Sequence, residues 1–412
     1  MSVHIKRIVR ALLTAIVLSV SLKHFAIAER PASLQAFMRQ VPASDVGIVI
    51  ADAHTGRIEY SSAPDKELLP ASTQKIITSS AALDLLGSEF RFATRLYFAP
   101  EASNPTLMVR GGGDPTLTTE KVYDIVRRLK TQGVGDIRTL AIDTSAFIDK
   151  RAPTGARAYN AAPHATSINY NAQERVVCKR PPFDCATSYE SLERPEEAFA
   201  GVWKTVLQQS GYSSVKVVFR PVDKGAKLVY EHHSEPLPKI IFDLNHFSTN
   251  VIADSLVYAL GEEVTKHQGM QLQNYSFRRG LERIQSWLIT HGIDGIRLDD
   301  GSGLSVENRV TPRALYRTLT TALERPHVGP ELLASFSIAR ESGTLKSREF
   351  NPNILFRGKS GLLNGVVSLA GILRTMEDRD KIVIIMLNGV RDPEQAKRWE
   401  EQLINYVYEQ KS

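Results

Sequence analysis

Hydrophobic and polar positions follow two different periods along the chain, which predicts strands near both ends and helices between them. Apolar or alternating runs predict strands over residues 45–52, 356–361, 366–374 and 381–388. Helical spacing of apolar residues predicts helices over 33–41, 70–87, 248–261, 275–291, 311–323, 330–335 and 393–409. One antiparallel sheet that takes strands from both chain ends and is flanked by helices is the economical arrangement, so we predict an α+β fold.

The pattern between residues 88 and 235 is different, because short strands there alternate with isolated helices. Strands are predicted over 91–99, 106–110, 139–143, 166–171, 215–219 and 227–232, with the last two forming a hairpin, and helices over 120–132 and within 188–210. We therefore predict that 88–235 is an accessory domain of mixed α/β structure. It would be inserted into a main domain made of residues 29–87 and 236–412.

The first 28 residues have the pattern of a signal peptide. A basic start precedes a short apolar run over 11–22, which stops at Lys23, and Ala-Ile-Ala at 26–28 is a suitable cleavage site. The apolar run is too short to span a bilayer comfortably, which disfavours a membrane anchor. We expect an exported, periplasmic protein whose signal peptide is cleaved.

Charge and cysteine content narrow the picture further. The formal net charge is +6, but the first 28 residues hold four basic residues and no acidic one, so the mature chain is near +2. A nucleic-acid partner therefore has no support.

The chain has two cysteines, Cys178 and Cys185. In an oxidising compartment they could form a local disulfide; a pair of free thiols stays open, and two sulfurs alone do not indicate a metal site.

The helix over 70–87 carries the first candidate for chemistry. Ser72 and Lys75 are three residues apart, so their side chains share one helix face. An amine beside a hydroxyl at a helix start suits a nucleophilic serine that gives its proton to a lysine of lowered pKa. Alone, this spacing more often means a helix cap and a solvated lysine, and Ser213 and Lys216 repeat it in a predicted strand.

Two more patterns could complete such a site. Ser248-Thr249-Asn250 lies at the head of a helix, where a hydroxyl could relay a proton and an amide could hold a substrate amide, although Ser167-Ile168-Asn169 has the same spacing. Lys359-Ser360-Gly361 ends a predicted strand, where a cation and a hydroxyl suit a carboxylate and glycine permits close approach. Taken singly, each could be a helix cap or an exposed strand edge.

Together, in this order and on these elements, the three patterns resemble those of a known family. The chain resembles the class C low-molecular-mass penicillin-binding proteins, the D-alanyl-D-alanine carboxypeptidase/endopeptidases of the penicillin-binding protein 4 type. The resemblance covers almost the whole mature chain and extends to residues 111–117, 159–161, 300–305, 342–345 and 362–371. Ser360 stands where the family usually has threonine, and we interpret 300–305 as a structural turn near the cleft.

The resemblance implies a serine β-lactamase/transpeptidase-like domain that cleaves peptidoglycan stem peptides through an acyl-enzyme and is acylated by β-lactams. Ser72 would be the nucleophile, Lys75 its base, and Ser248 with Lys359 would pass a proton to the leaving amine. The other implied roles are amide binding, carboxylate binding and the oxyanion hole, assigned to Asn250, to Lys359 and Ser360, and to the backbone N–H groups of Ser72 and Leu362, which follows Gly361. No metal or organic cofactor is implied.

Other classes of function remain open at this point. A serine β-lactamase would share the three patterns but would need efficient deacylation, and the large insertion argues against it. A cell-wall scaffold with an inactive site is disfavoured because all three patterns are intact, and an esterase of this fold would usually lack the carboxylate-binding set. Peripheral membrane association through Trp399, Leu403, Tyr406 and Tyr408 is also open, although such spacing more often indicates core packing.

Overall fold

The computed structural model describes residues 34–101, 103–180, 183–212, 214–267 and 270–410. The predicted signal peptide lies outside these residues. Contacts divide the chain into residues 1–41 and 42–412, and the first unit contributes one described helix, Leu34–Met38. Among the described residues, no helix has the length and apolar content that a membrane span requires.

Seventeen strands and ten α-helices occur in the described residues. In chain order, the strands are β1 (Asp45–Asp52), β2 (Ile58–Ser62), β3 (Ala93–Ala99), β4 (Thr106–Arg110), β5 (Thr139–Asp143), β6 (Ala172–Arg180), β7 (Phe183–Ser191), β8 (Lys216–Phe219), β9 (Lys227–His233), β10 (Glu262–His267), β11 (Met270–Tyr275), β12 (Ile296–Arg297), β13 (Arg309–Val310), β14 (Ser337–Ile338), β15 (Leu355–Leu363), β16 (Val366–Arg374) and β17 (Asp380–Asn388). The helices are α1 (Leu34–Met38), α2 (Lys75–Leu86), α3 (Thr119–Thr131), α4 (Pro195–Gln209), α5 (Leu237–Phe247), α6 (Asn250–Leu260), α7 (Phe277–Thr290), α8 (Pro312–Leu323), α9 (Gly329–Ser335) and α10 (Pro393–Tyr408).

The main sheet has six strands in the order β14-β15-β16-β17-β1-β2, and every neighbouring pair is antiparallel. β1 pairs with β17 along its full length, so the two ends of the chain meet at the centre of the sheet. Helix α8 packs against β1 and β17, and α10 packs against β16. Residues of β17 are buried on both faces for this reason, which explains its unbroken apolar run. The predicted α+β fold is confirmed.

The apolar spacing of α10 leaves peripheral membrane association open beside the more usual core packing. Trp399 and Leu403 are buried within the fold, and Tyr406 and Tyr408 are half-buried. These side chains therefore contribute mainly to the interior of the protein.

Helix α2 crosses the centre of the molecule and differs from the amphipathic helix that its sequence predicts. Every residue from Lys75 to Leu83 is buried, because α5, α6, α7, α8 and α9 all pack against it. Its serines and threonines are accommodated by hydrogen bonds within this helical layer. Thr78 donates to the carbonyl of Gly301, and Ser80 donates to the carbonyl of Ile76. The amphipathic interpretation is wrong because the helix has no solvent face in this region.

A second sheet is built entirely from strands between residues 93 and 233, in the order β8-β5-β4-β3-β9. β5 pairs in parallel with both β4 and β8, whereas β3 is antiparallel to β4 and β9. The predicted hairpin of β8 and β9 is wrong, because these strands lie at opposite edges of the sheet. Helices α3 and α4 cover the sheet and share a core with it. That 88–235 is an inserted domain with these boundaries stays a prediction.

The predicted strand over 166–171 is also wrong. Asn169, Tyr170 and Asn171 have φ values of 49°, 58° and 52°, so the chain turns through left-handed conformations there. Thr166, Ser167 and Ile168 are all buried, which shows that the apparent alternation did not separate an inner from an outer face.

Two hairpins and the short antiparallel pair of β12 and β13 complete the fold in the described residues. β6 pairs with β7, where Cys178 lies opposite Cys185 and the two form a disulfide. β10 pairs with β11, a hairpin that the sequence pattern did not predict. Arg110 of β4 is buried and donates to Asp143 at 2.7 Å and to the carbonyl of Gln273 at 3.0 Å. This arginine ties the second sheet to the β10–β11 hairpin.

Candidate active site

The three sequence patterns meet at one cleft of about 920 Å³. Its floor and walls come from the turn before α2, the junction of α5 and α6, strand β15, and a segment of the 88–235 region. The lining includes Ser72, Tyr159, Asn160, Phe247, Ser248, Asn250, Gly303, Leu304, Thr344, Ser360, Gly361 and Leu362. The structure therefore brings together residues that are almost 300 positions apart in the chain.

Ser72 lies in a 3₁₀ turn, Ala71–Gln74, that leads into α2. Ala71 has φ 48°, a left-handed conformation that is costly for a residue with a side chain. The turn is held at the carbonyl of Pro70, which accepts hydrogen bonds from Thr73 Oγ1 and Ser368 Oγ, both at 2.7 Å. The hydroxyl of Ser72 faces the cleft and does not cap α2, so the interpretation of Ser72 as a helix cap is wrong.

Lys75 is completely buried at the first turn of α2. Its Nζ donates hydrogen bonds to Ser72 Oγ at 2.9 Å, Asn250 Oδ1 at 2.6 Å and the Ser302 carbonyl at 2.7 Å. The three acceptors come from three separate parts of the chain, so the amine has one defined position beside the serine hydroxyl.

Burial lowers the pKa of Lys75 to about 8, because the charged form loses its hydration. The carboxylates of Asp300 and Asp254 act in the opposite direction and keep the pKa from falling further. A lysine with this pKa is neutral in an appreciable fraction of molecules near neutral pH. It can therefore accept a proton from the serine, as a general base must.

Ser248 and Asn250 occupy the junction between two helices. Ser248 has φ 62° and ends α5, Thr249 is the N-cap of α6, and Asn250 is the first residue of that helix. Asn250 makes two contacts: Oδ1 accepts from Lys75, and Nδ2 donates to the carbonyl of Tyr159 at 2.7 Å. The segment at Tyr159, within the predicted accessory region, therefore helps to orient a side chain of the cleft.

Lys359, Ser360, Gly361 and Leu362 lie on β15. Lys359 is completely buried, and its Nζ donates to the carbonyl of Ser360 at 2.7 Å. Burial and the nearby charge of Lys75 both lower its pKa well below that of a free lysine. Ser360 Oγ donates to Thr344 Oγ1 at 2.8 Å, and Leu362 is 51% exposed in the cleft. A buried amine, a hydroxyl and an exposed apolar side chain thus follow one another along one strand.

Gly361 has a structural reason to be glycine that the sequence did not reveal. A Cβ at this position would lie 2.8 Å from the backbone nitrogen of Ser72 and 3.0 Å from Ala71 Cβ, and would also collide with Ser368 Oγ. The space that glycine leaves is occupied by the serine turn. Strand β15 can therefore lie directly beside Ser72.

The segment 300–305 contributes more than the structural turn that we predicted. The buried carboxylate of Asp300 accepts from the backbone N–H groups of Ser302 at 3.0 Å, Gly303 at 2.7 Å and Ser305 at 2.7 Å. These bonds fix the loop so that the Ser302 carbonyl points at Lys75. A backbone carbonyl leaves no signal in a motif search, so sequence reasoning missed this contact.

The competing matches to the patterns lie elsewhere. Ser167 is buried and bonded to the carbonyl of His164, and Asn169 accepts from the N–H of Thr119, so this pair supports a loop of the second sheet. Lys216 begins β8, and Ser213 lies outside the described residues. Cys178 and Cys185 do not line the cleft. Within the described residues, no cluster of His, Cys, Asp or Glu is arranged to hold a metal ion.

Comparison with known proteins decides the family. The model of the D-Ala-D-Ala carboxypeptidase 3 (S13) family matches residues 31–187 and 182–410. The chain belongs to the D-Ala-D-Ala carboxypeptidase 3 (S13) family. It is a serine-type D-Ala-D-Ala carboxypeptidase/endopeptidase, as its resemblance to the penicillin-binding protein 4 type implied.

One relative and two solved structures are similar to this S13 chain over most of its length. It is 25% identical over 417 residues to the D-alanyl-D-alanine carboxypeptidase DacB of Haemophilus influenzae, covering 84% of this chain and 86% of the relative. The crystal structure of penicillin binding protein 4 (dacB) from the same organism has a TM-score of 0.78 at 23% identity, covering 91% of this chain and 99% of that one. Its complex with a β-lactam gives a TM-score of 0.74 at 22% identity, with the same coverage.

Proposed function

We propose that Ser72 is the acylated nucleophile of this S13 enzyme, that Lys75 is its general base, and that the substrate is a peptidoglycan stem peptide ending in D-alanyl-D-alanine. The observation that carries this proposal is the position of Lys75 Nζ. It lies 2.9 Å from the hydroxyl of Ser72 and is held by two other oxygen atoms.

The three contacts of Lys75 are those of an ammonium that donates to three oxygen atoms, and all three can persist when the amine is neutral. A neutral amine has two N–H donors and one lone pair, whereas an ammonium has three donors. Asn250 Oδ1 and the Ser302 carbonyl can only accept, so they take the two N–H groups. In the neutral form the lone pair is directed at the remaining partner, so the hydroxyl of Ser72 becomes the donor in that contact. Deprotonation of the lysine therefore prepares it to remove the serine proton.

In the acylation step, Ser72 Oγ attacks the carbonyl carbon of the penultimate D-alanine while its proton passes to Lys75. The bond to the terminal D-alanine nitrogen then breaks, and the proton that Lys75 accepted passes to the leaving amine with the help of Ser248 and Lys359. The backbone N–H groups of Ser72 and Leu362 stabilise the oxyanion, which is usually a large electrostatic contribution in acyl transfer. Water later hydrolyses the serine ester and regenerates the hydroxyl.

The terminal carboxylate of the substrate is assigned to Lys359 and Ser360. Lys359 is buried near a second lysine, so a bound carboxylate would supply the charge that burial and repulsion otherwise oppose. The hydroxyl of Ser360, now bonded to Thr344, can turn towards the same group. Asn250 Nδ2 is the donor assigned to the peptide amide. A β-lactam carries an analogous amide and carboxylate and would acylate Ser72 in the same way.

The setting of this activity follows from the same assignment. Residues 1–28 would direct export, and the mature enzyme would act in the periplasm, where peptidoglycan is remodelled. Residues 88–235 would act as an accessory domain that forms one wall of the cleft through Tyr159 and Asn160. Peripheral contact with the membrane stays an expectation for experiment.

The test is the release of D-alanine from a soluble stem pentapeptide, beside cleavage of a cross-linked stem-peptide dimer. We expect one or both reactions with the wild-type enzyme and neither with Ser72→Ala. Ser286→Ala is a matched control, because this serine lies on the exposed side of α7 and bonds only within its helix. Equal activity of Ser72→Ala and Ser286→Ala would refute the assignment of the nucleophile.

A further inference from the structure

Asp254 lies outside the cleft but is connected to Lys75 through one peptide segment. Its Oδ1 accepts a hydrogen bond from the backbone N–H of Gly301 at 2.8 Å. On the other side, Thr78 Oγ1 donates to the Gly301 carbonyl at 2.6 Å. The next carbonyl in the chain, that of Ser302, accepts from Lys75. Hydrogen bonds from α2 and α6 therefore hold the Gly301 peptide in place, and this positions the Ser302 carbonyl that accepts from Lys75.

The same helix supplies a second contact to the lysine. Asp254 follows Asn250 by four residues in α6, so the two side chains lie on one face one turn apart. The turn is pressed onto this helix, since a Cβ at Gly301 would lie 2.6 Å from Val257 Cγ2 and 2.9 Å from the Ala253 carbonyl. Helix α6 thus holds Lys75 directly through Asn250 and indirectly through Asp254.

Charged groups on the neighbouring segments influence the ionisation of Asp254. Asp300 in the 300–305 turn is a like charge, whereas Arg151 and Lys75 are opposite charges. Tyr258 lies one turn further along α6 and donates to the Asp149 carbonyl at 2.5 Å. Burial is the largest influence and Asp300 the second, and together they raise the pKa of Asp254 to about 7.

We propose that Asp254 is a positioning residue for Lys75. It holds the Ser302 carbonyl in place through Gly301, and its carboxylate, with that of Asp300, favours the charged form of the lysine. Asp254 is not among the described residues that line the cleft, and its carboxylate accepts from the Gly301 loop. The proposal rests on the proposed roles of Ser72 and Lys75, and it adds a carboxyl group that influences the pH at which the base is neutral.

The replacement Asp254→Asn separates charge from geometry. The amide oxygen can still accept from Gly301 N–H, so the loop and the maximal rate of acylation should be retained. Loss of the negative charge removes a group that stabilises the ammonium form, so the pKa of Lys75 falls. In a plot of the rate of acylation by benzylpenicillin against pH, the acidic limb should therefore move to lower pH by about half a unit or more.

Two further variants make the comparison specific. Asp299→Asn removes a carboxylate from the same segment, but that side chain is 49% exposed, so solvent screens it and the limb should stay in place. Asp254→Ala removes both the charge and the acceptor for Gly301, so it should combine the shift in pH with a lower maximal rate. Circular dichroism and thermal unfolding establish that each variant is folded.

The outcomes separate this proposal from the function on which it rests. A shift with Asp254→Asn but not with Asp299→Asn supports it. A uniform loss at every pH without a shift, or equal shifts in both variants, overturns it and leaves the roles of Ser72 and Lys75 intact. Absence of acylation in the wild-type enzyme would instead contradict the proposed function.

A measurement on the wild-type protein does not depend on how the variants fold. With carbon-13 at the lysine ε positions, the Lys75 signal can be assigned by its disappearance in Lys75→Arg. We expect this signal to report two coupled ionisations, with apparent pKa values of about 7 and about 8. A single ionisation would show that the charge of Asp254 does not reach Lys75, and would overturn the proposal.

Discussion

Lys75 and Lys359 are both completely buried beside one cleft. The charges that act on Lys75 are negative, whereas the charge that acts on Lys359 is positive. Lys75 has three oxygen acceptors on three chain segments, and two carboxylates oppose the fall in its pKa. Lys359 donates to the carbonyl of its own neighbour, Ser360, and the charge that acts on it is that of Lys75, which lowers its pKa further. Burial is common to both, so the difference lies in what compensates for it.

The two lysines of the S13 site are therefore suited to different roles. A lysine that is held in one position with a pKa of about 8 is suited to exchange a proton with the serine. Lys359, on which the charge of Lys75 is the charge that acts, is suited to bind a negatively charged group of the substrate.

The largest effect is expected from replacing each lysine by arginine, because arginine keeps the positive charge but cannot act as a base. Lys75→Arg should lower the second-order rate of acylation by benzylpenicillin by about 10³-fold. Lys359→Arg can still hold a carboxylate and should lose about tenfold to a hundredfold, mainly through altered geometry. Stopped-flow or mass-resolved acylation rates measure both. Equal losses in the two variants would break the proposed distinction.

Asn250→Asp would place a carboxylate at the position that accepts from Lys75 at 2.6 Å. The new charge stabilises the ammonium form and raises the pKa of Lys75. Since the base must be neutral, the acidic limb of the pH profile of acylation should move to higher pH than in the wild type. A shift of one unit lowers the rate at pH 7 about tenfold. An unchanged limb would show that Lys75 does not control the rate.

Gly361→Ala tests the contact between β15 and the serine turn. The added Cβ would lie 2.8 Å from Ser72 N, so the strand must move, with an expected loss of stability of about 1–3 kcal/mol. Acylation should slow as well, because Ser72 and Leu362 would move apart.

Gly201→Ala is the control for this glycine. It lies within α4, where a Cβ would meet nothing within 4 Å, so stability should rise by about 0.5–1 kcal/mol and activity should not change. Thermal unfolding with acylation rates covers both variants. A destabilised Gly201→Ala together with a neutral Gly361→Ala would contradict the packing argument.

The smallest effect is expected from Ser360→Thr, which restores the residue usual in the family. The hydroxyl that bonds to Thr344 at 2.8 Å is retained, and a β-branched residue suits a strand. The rate of acylation should change by less than about threefold, since a loss of one ordinary hydrogen bond would already cost about 1 kcal/mol. Ser360→Ala, which removes the hydroxyl, should lose more. The reverse order would contradict the role assigned to this hydroxyl.

The sequence predicts those elements best whose burial pattern is unambiguous. The bounds of β1, β4, β5 and β16 agree with prediction, because short apolar or alternating runs between turn residues leave little freedom. The pairing of β8 and β9 failed for a different reason. Both were correctly located as strands, but nothing in a local pattern tells which edge of a sheet a strand joins.

Helix α2 shows where local reasoning stops within the site itself. Its position was predicted, yet its burial on all sides depends on five other helices that a single-sequence period does not report. Ser72, Lys75 and Asn250 were found because side-chain chemistry leaves motifs. The carbonyl of Ser302 and the carboxylate of Asp254 act through the backbone of a folded loop, and only the three-dimensional arrangement reveals them.

The identity of the acylated residue can be read from the intact mass of the enzyme after incubation with benzylpenicillin, for the wild type and for Ser72→Ala. We predict that the wild type gains the mass of one antibiotic molecule and that the variant gains none. An adduct on Ser72→Ala, or an unmodified wild-type enzyme beside intact penicillin, would contradict the assignment of Ser72 as the nucleophile. Rapid loss of penicillin without an adduct would instead indicate a β-lactamase.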